Sequence, residues 1–183
     1  HTTGLFDTTF YKFDDEITIE DSDKIRENVL ELRPVLDRDD DDLHFKKTTR
    51  SASEDFRKSV IDFKPDLIAV SCTETTFLRA IRMIDETRDL GIKNIFGGVF
   101  PTFAPDLVMT YPNVDMVCVG EGENAIIDLA NSIANQEKRF DITNIWFRME
   151  DNTIHKNSIS RPVDINEIPE ITDIELFGEE RFY

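Results

Sequence analysis

The chain has 183 residues, and 38 acidic against 21 basic side chains leave a formal charge of −17. Such a charge repels phosphate backbones and anionic membrane surfaces, which argues against nucleic acid or a membrane as a partner. Two cysteines, Cys72 and Cys118, are too few for a disulfide framework or a four-cysteine zinc site, while 39% hydrophobic residues and 14 Phe suffice for the core of one domain.

No apolar run approaches the ~18 residues of a membrane span, and no charged-apolar-small leader opens the sequence, so a soluble, cytoplasmic protein is expected. Taken in order, residues 4–11 form an apolar, β-prone run that is expected to be a strand. From Ser22, a stripe at Ile25, Val29 and Leu32 has helical spacing and stops at Pro34. Residues 37–42 follow as a solvated acidic loop. Ser51 and Glu54 have capping-box spacing, and Phe56, Val60 and Phe63 form the buried face predicted for the next helix. Leu67-Ile68-Ala69-Val70-Ser71 is a continuous apolar run, the mark of a strand covered on both faces.

A helix with Phe77, Ala80, Ile81 and Ile84 inward comes next, with Gly91 suited to a left-handed cap beyond it. Asn94-Ile95-Phe96 predicts a short strand ending at Gly97-Gly98. A loop and short helix over residues 101–110 lead to a further buried strand, Asp115-Met116-Val117-Cys118-Val119. Gly120-Glu121-Gly122-Glu123 then opens a helix with Ala125, Ile126, Leu129, Ala130 and Ile133 on one side. Ile145-Trp146-Phe147-Arg148-Met149 and Ile154-His155-Lys156 flank a turn and predict a β-hairpin, with Trp146 in the core or at an interface. Residues 158–183 have no sustained period and predict an extended, acidic tail. Alternating strands and helices with short links specify an α/β fold, flavodoxin- or Rossmann-like, with a parallel sheet and helices on both faces.

In open parallel sheets, ligands bind beyond the carboxyl ends of the strands. Three loops converge there by sequence order. The first carries Ser71, Cys72, Thr73, Glu74 and Thr75. The second carries Gly97, Gly98, Val99, Pro101 and Thr102, and the third Val119, Gly120, Glu121, Gly122 and Glu123. Glycine pairs let a ligand approach the backbone, and hydroxyls with backbone amides suit a bulky ligand rich in neutral amides. The same residues are also those of ordinary turns, and spacing alone leaves both readings open.

These strings resemble a known family. Phe63-Lys64-Pro65-Asp66-Leu67-Ile68-Ala69-Val70-Ser71, Gly97-Gly98-Val99-Phe100-Pro101-Thr102 and Val119-Gly120-Glu121-Gly122-Glu123 are similar, in order, to strand-end motifs of the cobalamin (B12)-binding domain of radical SAM enzymes. Trp146-Phe147-Arg148, the hairpin turn and Asp164-Ile165-Asn166-Glu167-Ile168-Pro169 resemble the segment that leads into those enzymes' barrel. The resemblance implies a cobalamin-binding α/β domain over residues 1–140, and a hairpin and linker over 141–183 directed toward a barrel absent from this sequence. Thr3-Gly4-Leu5-Phe6-Asp7 then looks like the family's second strand, with the first βα unit missing.

The implied site has the corrin above the sheet's carboxyl edge and the nucleotide tail between residues 71–75 and Gly97-Gly98, with residues 119–123 beside the corrin. S-adenosylmethionine and a 4Fe–4S cluster would belong to the absent barrel, because no Cys-x3-Cys-x2-Cys string exists here. Methyl transfer or oxidative cyclisation would therefore need that barrel as partner, and the chain alone should be inactive. The family's axial-ligand string, Asp-x-His-x-x-Gly, has its nearest counterpart in Asp42-Leu43-His44-Phe45-Lys46-Lys47, which lacks the glycine and follows an acidic loop. His44 is therefore expected to be a surface histidine, and the cofactor to be base-off without a protein imidazole. The competing reading is a non-catalytic interaction or sensor module that keeps the fold but has lost the cofactor. A missing first unit could also expose a sheet edge and give a homodimer. Phe177, Phe182 and Tyr183 would pack on the barrel, or drive self-association without it.

Other motifs carry less. Gly120-Glu121-Gly122-Glu123-Asn124-Ala125 matches a dinucleotide fingerprint, but Glu121 and Glu123 would set like charge against a pyrophosphate, and the string follows the last parallel strand. Its glycines make the turn, and its glutamates suit the positive end of the helix. Asp37, Asp39 and Asp41 alternate as in a calcium loop, yet Asp42 and Thr48 stand where glycine and glutamate are required. Cys72 has no histidine near it in sequence and is expected to be a buried structural thiol. A phosphoacceptor domain would need aspartate where Ser71 stands. His1, His44 and His155 have no metal-ligand spacing. No catalytic residue and no metal ligand are expected in the chain.

Overall fold

The computed structural model describes residues 1–9, 11, 13, 48–164, 166, 168 and 176. The predicted helix after Ser22, the acidic loop at 37–42, His44 and the tail aromatics Phe177, Phe182 and Tyr183 lie outside them. The chain divides into two compact units, one of His1–Gly4 with Ser53–Thr172 and one of Leu5–Ala52 with Asp173–Tyr183.

The first unit holds a five-stranded sheet in the order β1 (Leu67–Ser71), β2 (Lys93–Gly97), β3 (Met116–Cys118), β4 (Ile145–Arg148) and β5 (Ile154–Lys156). β1, β2 and β3 run parallel, while β4 joins β3 antiparallel and carries β5 as the predicted hairpin. α1 (Ala52–Phe63) precedes β1, and between the strands lie α2 (Glu74–Asp85), the short α3 (Val99–Phe103) and α4 (Pro105–Val108), and α5 (Glu123–Ala134). The fold is thus α/β with a sheet that is parallel over its first three strands, as the alternation of periods predicts.

Strand alternation sorts the core onto the two faces. On one, Val60 of α1, Phe77, Ile81 and Ile84 of α2 and Val108 of α4 meet Ile68, Phe96 and Val117. Phe77 is the hub of this face, with its ring 5.8 Å from Phe96, 5.0 Å from Phe100 and 5.0 Å from Tyr111. On the other, Ala125 and Leu129 of α5 cover Ile95, Met116, Cys118, Ile145 and Phe147. Gly91, at φ +69°, closes the 3-10 turn of Arg88–Leu90 in the predicted left-handed conformation. Among the described residues, no helix is long and apolar enough to cross a membrane.

Three expectations are corrected. Residues 1–8 form no strand; at 7–9 a turn replaces it, in which Asp7 Oδ1 accepts from the Thr9 amide at 2.9 Å and its hydroxyl at 2.6 Å. A side chain that satisfies the local amide competes with a ladder. In the second unit, the strand-like pairing among the described residues is a parallel bridge between Tyr11 and Thr48, beside stacked Phe6 and Tyr11 rings. Among the described residues, β1 is covered mainly on one face: Ile68 is buried but Ala69 is exposed, because β1 pairs there only with β2, and α5 packs over β2–β4. Phe63, assigned to the buried face of α1, is 45% exposed at the helix's last turn.

Trp146 packs partly against the first core cluster with Lys156 Nζ 4.2 Å above its ring, and its indole N–H is buried without an acceptor among the described residues. A buried, unpaired donor carries a desolvation penalty. Trp146→Phe removes that penalty along with some packing, so it should change stability by less than about 1 kcal/mol, against the ~3–5 kcal/mol usual for truncating a large core aromatic. Urea unfolding of the two proteins measures the difference. A loss above that bound would mean that the indole N–H is paired.

Candidate functional site

The carboxyl ends of β1 and β2 stop level, with Ser71 paired to Gly97. One further bond, from the Cys72 amide to the Gly97 carbonyl at 3.1 Å, draws the two exits together. Gly98 follows at φ +97°, where a Cβ would lie 2.8 Å from the Cys72 carbonyl oxygen and 3.1 Å from its nitrogen. The missing side chain at Gly98 therefore serves the approach of the chain's own backbone, and the fold requires glycine there whatever binds above. At Gly97 a Cβ would meet Cys118 Cβ at 3.7 Å, an ordinary contact.

In the first loop Ser71, Thr73, Glu74 and Thr75 are exposed. Thr73 caps α2: its amide donates to Thr76 Oγ1 at 2.9 Å, and its own hydroxyl lies 3.0 Å from that of Thr75 and 3.2 Å from that of Thr76. The result is a row of neutral hydroxyls at a helix start, open to solvent. Cys72 turns inward, 5% exposed.

Burial pushes its thiol from an ordinary 9.0 up to about 11. Cys118 is also raised, first by burial and then by the charge of Glu123. Both are protonated near neutrality, which matches the expected structural thiol at Cys72 and leaves neither as a nucleophile. Iodoacetamide at a pH of about 7 should label neither in the folded chain and both in urea. The unfolded Cys72 thiol ionises near 9.0 and the folded one only near 11, so its contribution to stability is complete below 9.0 and falls as pH rises to 11. Urea midpoints across that window measure the decline, and rapid labelling of the folded chain would overturn the assignment.

The second loop enters α3 at once. Pro101 is buried, while Val99 and Phe103 are 64% and 84% exposed on this short helix. Thr102 turns toward the third loop, where its Oγ1 accepts from the Gly120 amide at 3.1 Å. Gly120, at φ +87°, makes the turn out of β3 after the buried Val119, and the Gly122 carbonyl accepts the first bond of α5 from Ile126. Glu123 is the first residue of α5, where a carboxylate faces the positive helix end. Pairing of Ser71 with Gly97 and of Thr102 with Gly120 thus brings all three predicted loops to one edge.

Glu121 does something the sequence did not disclose. Its carboxylate accepts from the Val163 amide, and its carbonyl accepts from Asn144 Nδ2 at 2.7 Å. Asn144 is the missed residue of this edge. It is 4% exposed, sits at φ +70°, and bonds through all its polar atoms: its amide to the Ser158 carbonyl, its carbonyl to the Val119 amide, Nδ2 also to Ser160 Oγ, and Oδ1 from the Ser160 amide. Asparagine is the non-glycine residue best suited to left-handed backbone, so Asp141-Ile142-Thr143-Asn144 ahead of a strand was the available signal.

Among the described residues, no histidine stands at this edge. His1 pairs with Asn131 on α5 at 2.9 Å, and His155 lies on the outer strand β5 beside Asn157 at 3.2 Å. No group of three His, Cys, Asp or Glu among those residues is placed to hold a metal ion. A cleft of about 260 Å³ opens at the opposite, amino edge between Arg88, Lys93, Asn94, Asn113 and Asp115. Its amides are spent within the fold: Asn94 Nδ2 donates to the Asn113 carbonyl and to Asp115, which holds the starts of β2 and β3 together, and Asn113 Nδ2 donates to Asp85.

Comparison with known proteins places this geometry. A family model described as "B12 binding domain" matches residues 36–130. No curated protein matches the chain. Among solved structures, the cobalamin-dependent S-adenosylmethionine radical enzyme OxsB, with aqua-cobalamin and S-adenosylmethionine bound, matches at a TM-score of 0.51 and 22% identity over 60% of this chain. The radical S-adenosylmethionine methyltransferase TsrM from Kitasatospora setae, with cobalamin and a 4Fe–4S cluster bound, matches at 0.51 and 17% identity over 63%. The chain spans 16% of the former and 23% of the latter, and at these identities the likeness is one of fold.

Proposed function

The chain belongs to the B12-binding domain family, and we propose that it holds cobalamin at the carboxyl edge of its sheet as one domain of a cobalamin-dependent radical SAM enzyme. The carrying observation is the convergence there of three loops, the first with exposed neutral hydroxyls at Ser71, Thr73 and Thr75 and the second opening a helix with exposed Val99 and Phe103. Cobalamin is amphiphilic, an apolar macrocycle fringed with amides, and this donor set matches it. A dinucleotide would instead meet Glu121 and Glu123, and no basic side chain stands in the three named loops.

In this reading Ser71 and Thr73 hydrogen-bond the nucleotide tail, and residues 119–123 flank the corrin. The cofactor in this reading is base-off without a protein imidazole, because Asp42-Leu43-His44-Phe45-Lys46-Lys47 lacks the glycine of the axial-ligand string. Cobalamin would supply cobalt-centred group-transfer or radical chemistry, and this chain's residues would bind, orient and shield it. Residues 1–140 form the cofactor-holding part, and 141–183 lead toward a barrel that supplies S-adenosylmethionine and the 4Fe–4S cluster. Substrate and reaction, methyl transfer or oxidative cyclisation, belong to that whole enzyme.

A UV-visible titration of the chain with hydroxocobalamin and methylcobalamin, followed by desalting, tests the reading. Retained cofactor with a base-off spectrum is expected. Release of all cofactor on desalting would favour the alternative, an interaction or sensor module with the same fold, and overturn the proposal.

A further inference from the structure

Residues 158–163 run back over the third loop instead of leaving the sheet. The Ser158 carbonyl and both Ser160 polar groups are held by Asn144, and the Val163 amide by Glu121. Ile159, 61% exposed, lies close enough to Gly120 that a Cβ there would be 3.5 Å from its Cγ2. Through Thr102, the same network reaches the helix that follows Gly98. The carboxylate of Glu121 is thereby committed to a backbone amide of this segment.

We propose that Glu121 and Asn144 are positioning residues that clamp residues 158–163 as a strap along the third loop, and that this strap forms one wall of the cobalamin site. The inference rests on the function proposed above. The Glu121 carboxylate acts on the cofactor only through the strap, while its backbone stays in the 119–123 turn that flanks the corrin, and Asn144 sets the height of the Gly120–Glu121 turn against the strap.

The full 183-residue chain tests this by cobalamin titration together with amide hydrogen exchange at Ser160 and Val163. Cobalamin should slow exchange at both amides about tenfold in the parent chain, an ordinary size for coupling between two sites. Glu121→Ala removes the acceptor, and Val163→Pro removes the donor while leaving Glu121 intact. Each should weaken cobalamin binding about tenfold, and the double variant should be no weaker than either single one, the signature of one shared interaction. Asn144→Asp keeps the left-handed backbone and the acceptor for Ser160, loses both amide donors, and should weaken binding while leaving the thermal midpoint measurable.

If Glu121→Ala binds as tightly as the parent while its strap amides exchange faster, the strap is no wall of the site. If the two single effects multiply in the double variant, Glu121 touches the cofactor itself. Either result overturns the inference and leaves the cobalamin reading standing. A parent chain that binds no cobalamin overturns both.

Discussion

Gly98→Ala should cost the first unit about 3 kcal/mol or more, because a β-carbon there meets main chain on two sides in a backbone region that L-residues avoid. The nearest atoms are the Cys72 carbonyl oxygen at 2.8 Å, the Cys72 nitrogen at 3.1 Å and Ser71 Oγ at 3.2 Å. Relief would require parting the exits of β1 and β2, which the bond from the Cys72 amide to the Gly97 carbonyl holds closed. At roughly 2–4 °C per kcal/mol for a chain of this size, the thermal midpoint should fall by about 10 °C. Cobalamin binding should be lost in the same variant, since the hydroxyl row starts at the displaced Ser71. Gly91→Ala is the control. Its φ of +69° is also left-handed, but nothing lies within 4 Å of the added carbon, so only about 1 kcal/mol is expected. Equal effects at the two positions would mean that backbone conformation, and not the close approach, governs Gly98.

Arg148→Met should be nearly as damaging. The guanidinium of this half-buried residue donates from Nε to the Val114 carbonyl at 2.8 Å, and from Nη2 to Met109 at 2.6 Å and Tyr111 at 2.9 Å. Those carbonyls belong to the connection between α4 and β3, so one side chain of the hairpin holds the approach to the central strand. Methionine preserves the aliphatic stem but removes all three bonds, and although the Tyr111 carbonyl keeps the Val114 amide at 3.1 Å, the Met109 and Val114 carbonyls lose this donor, which should cost about 3 kcal/mol. Tyr111 stands edge-on to Phe77, so the loss should spread into the first core cluster. Arg148→Lys should recover little, because an ammonium cannot reproduce the planar fork. Differential scanning calorimetry of the three proteins decides the point. A lysine variant as stable as the parent would show that charge alone, without the fork, holds the connection.

Both positions mark the limit of what could be read in advance. The string Gly97-Gly98 at a strand end correctly signalled a turn at the carboxyl edge of the sheet. That Gly98's free volume is taken by Cys72 is a relation between residues 26 positions apart, and it depends on β1 and β2 ending level. Arg148 looked like one more polar residue in a hairpin, because nothing in its neighbourhood shows that three carbonyls converge on it from residues 109–114. Asn144 is the sharpest case. Its partners stand 16 and 23 positions away, and only the antiparallel return of β4 along β3 brings them to one atom.

Local pattern alone determined the order of helices and strands from Ala52 to Lys156, the three glycine- and hydroxyl-bearing loops, and the resemblance to cobalamin-binding domains. Each of these depends on side-chain periodicity or on a few adjacent residues, the scale on which a sequence states its preferences directly. Tertiary structure decided which face of β1 is covered, which glycine is needed for close approach, and that Glu121 accepts from the Val163 amide. Those outcomes depend on where separate segments come to rest against one another, and the energies that select them exist only once the sheet has assembled.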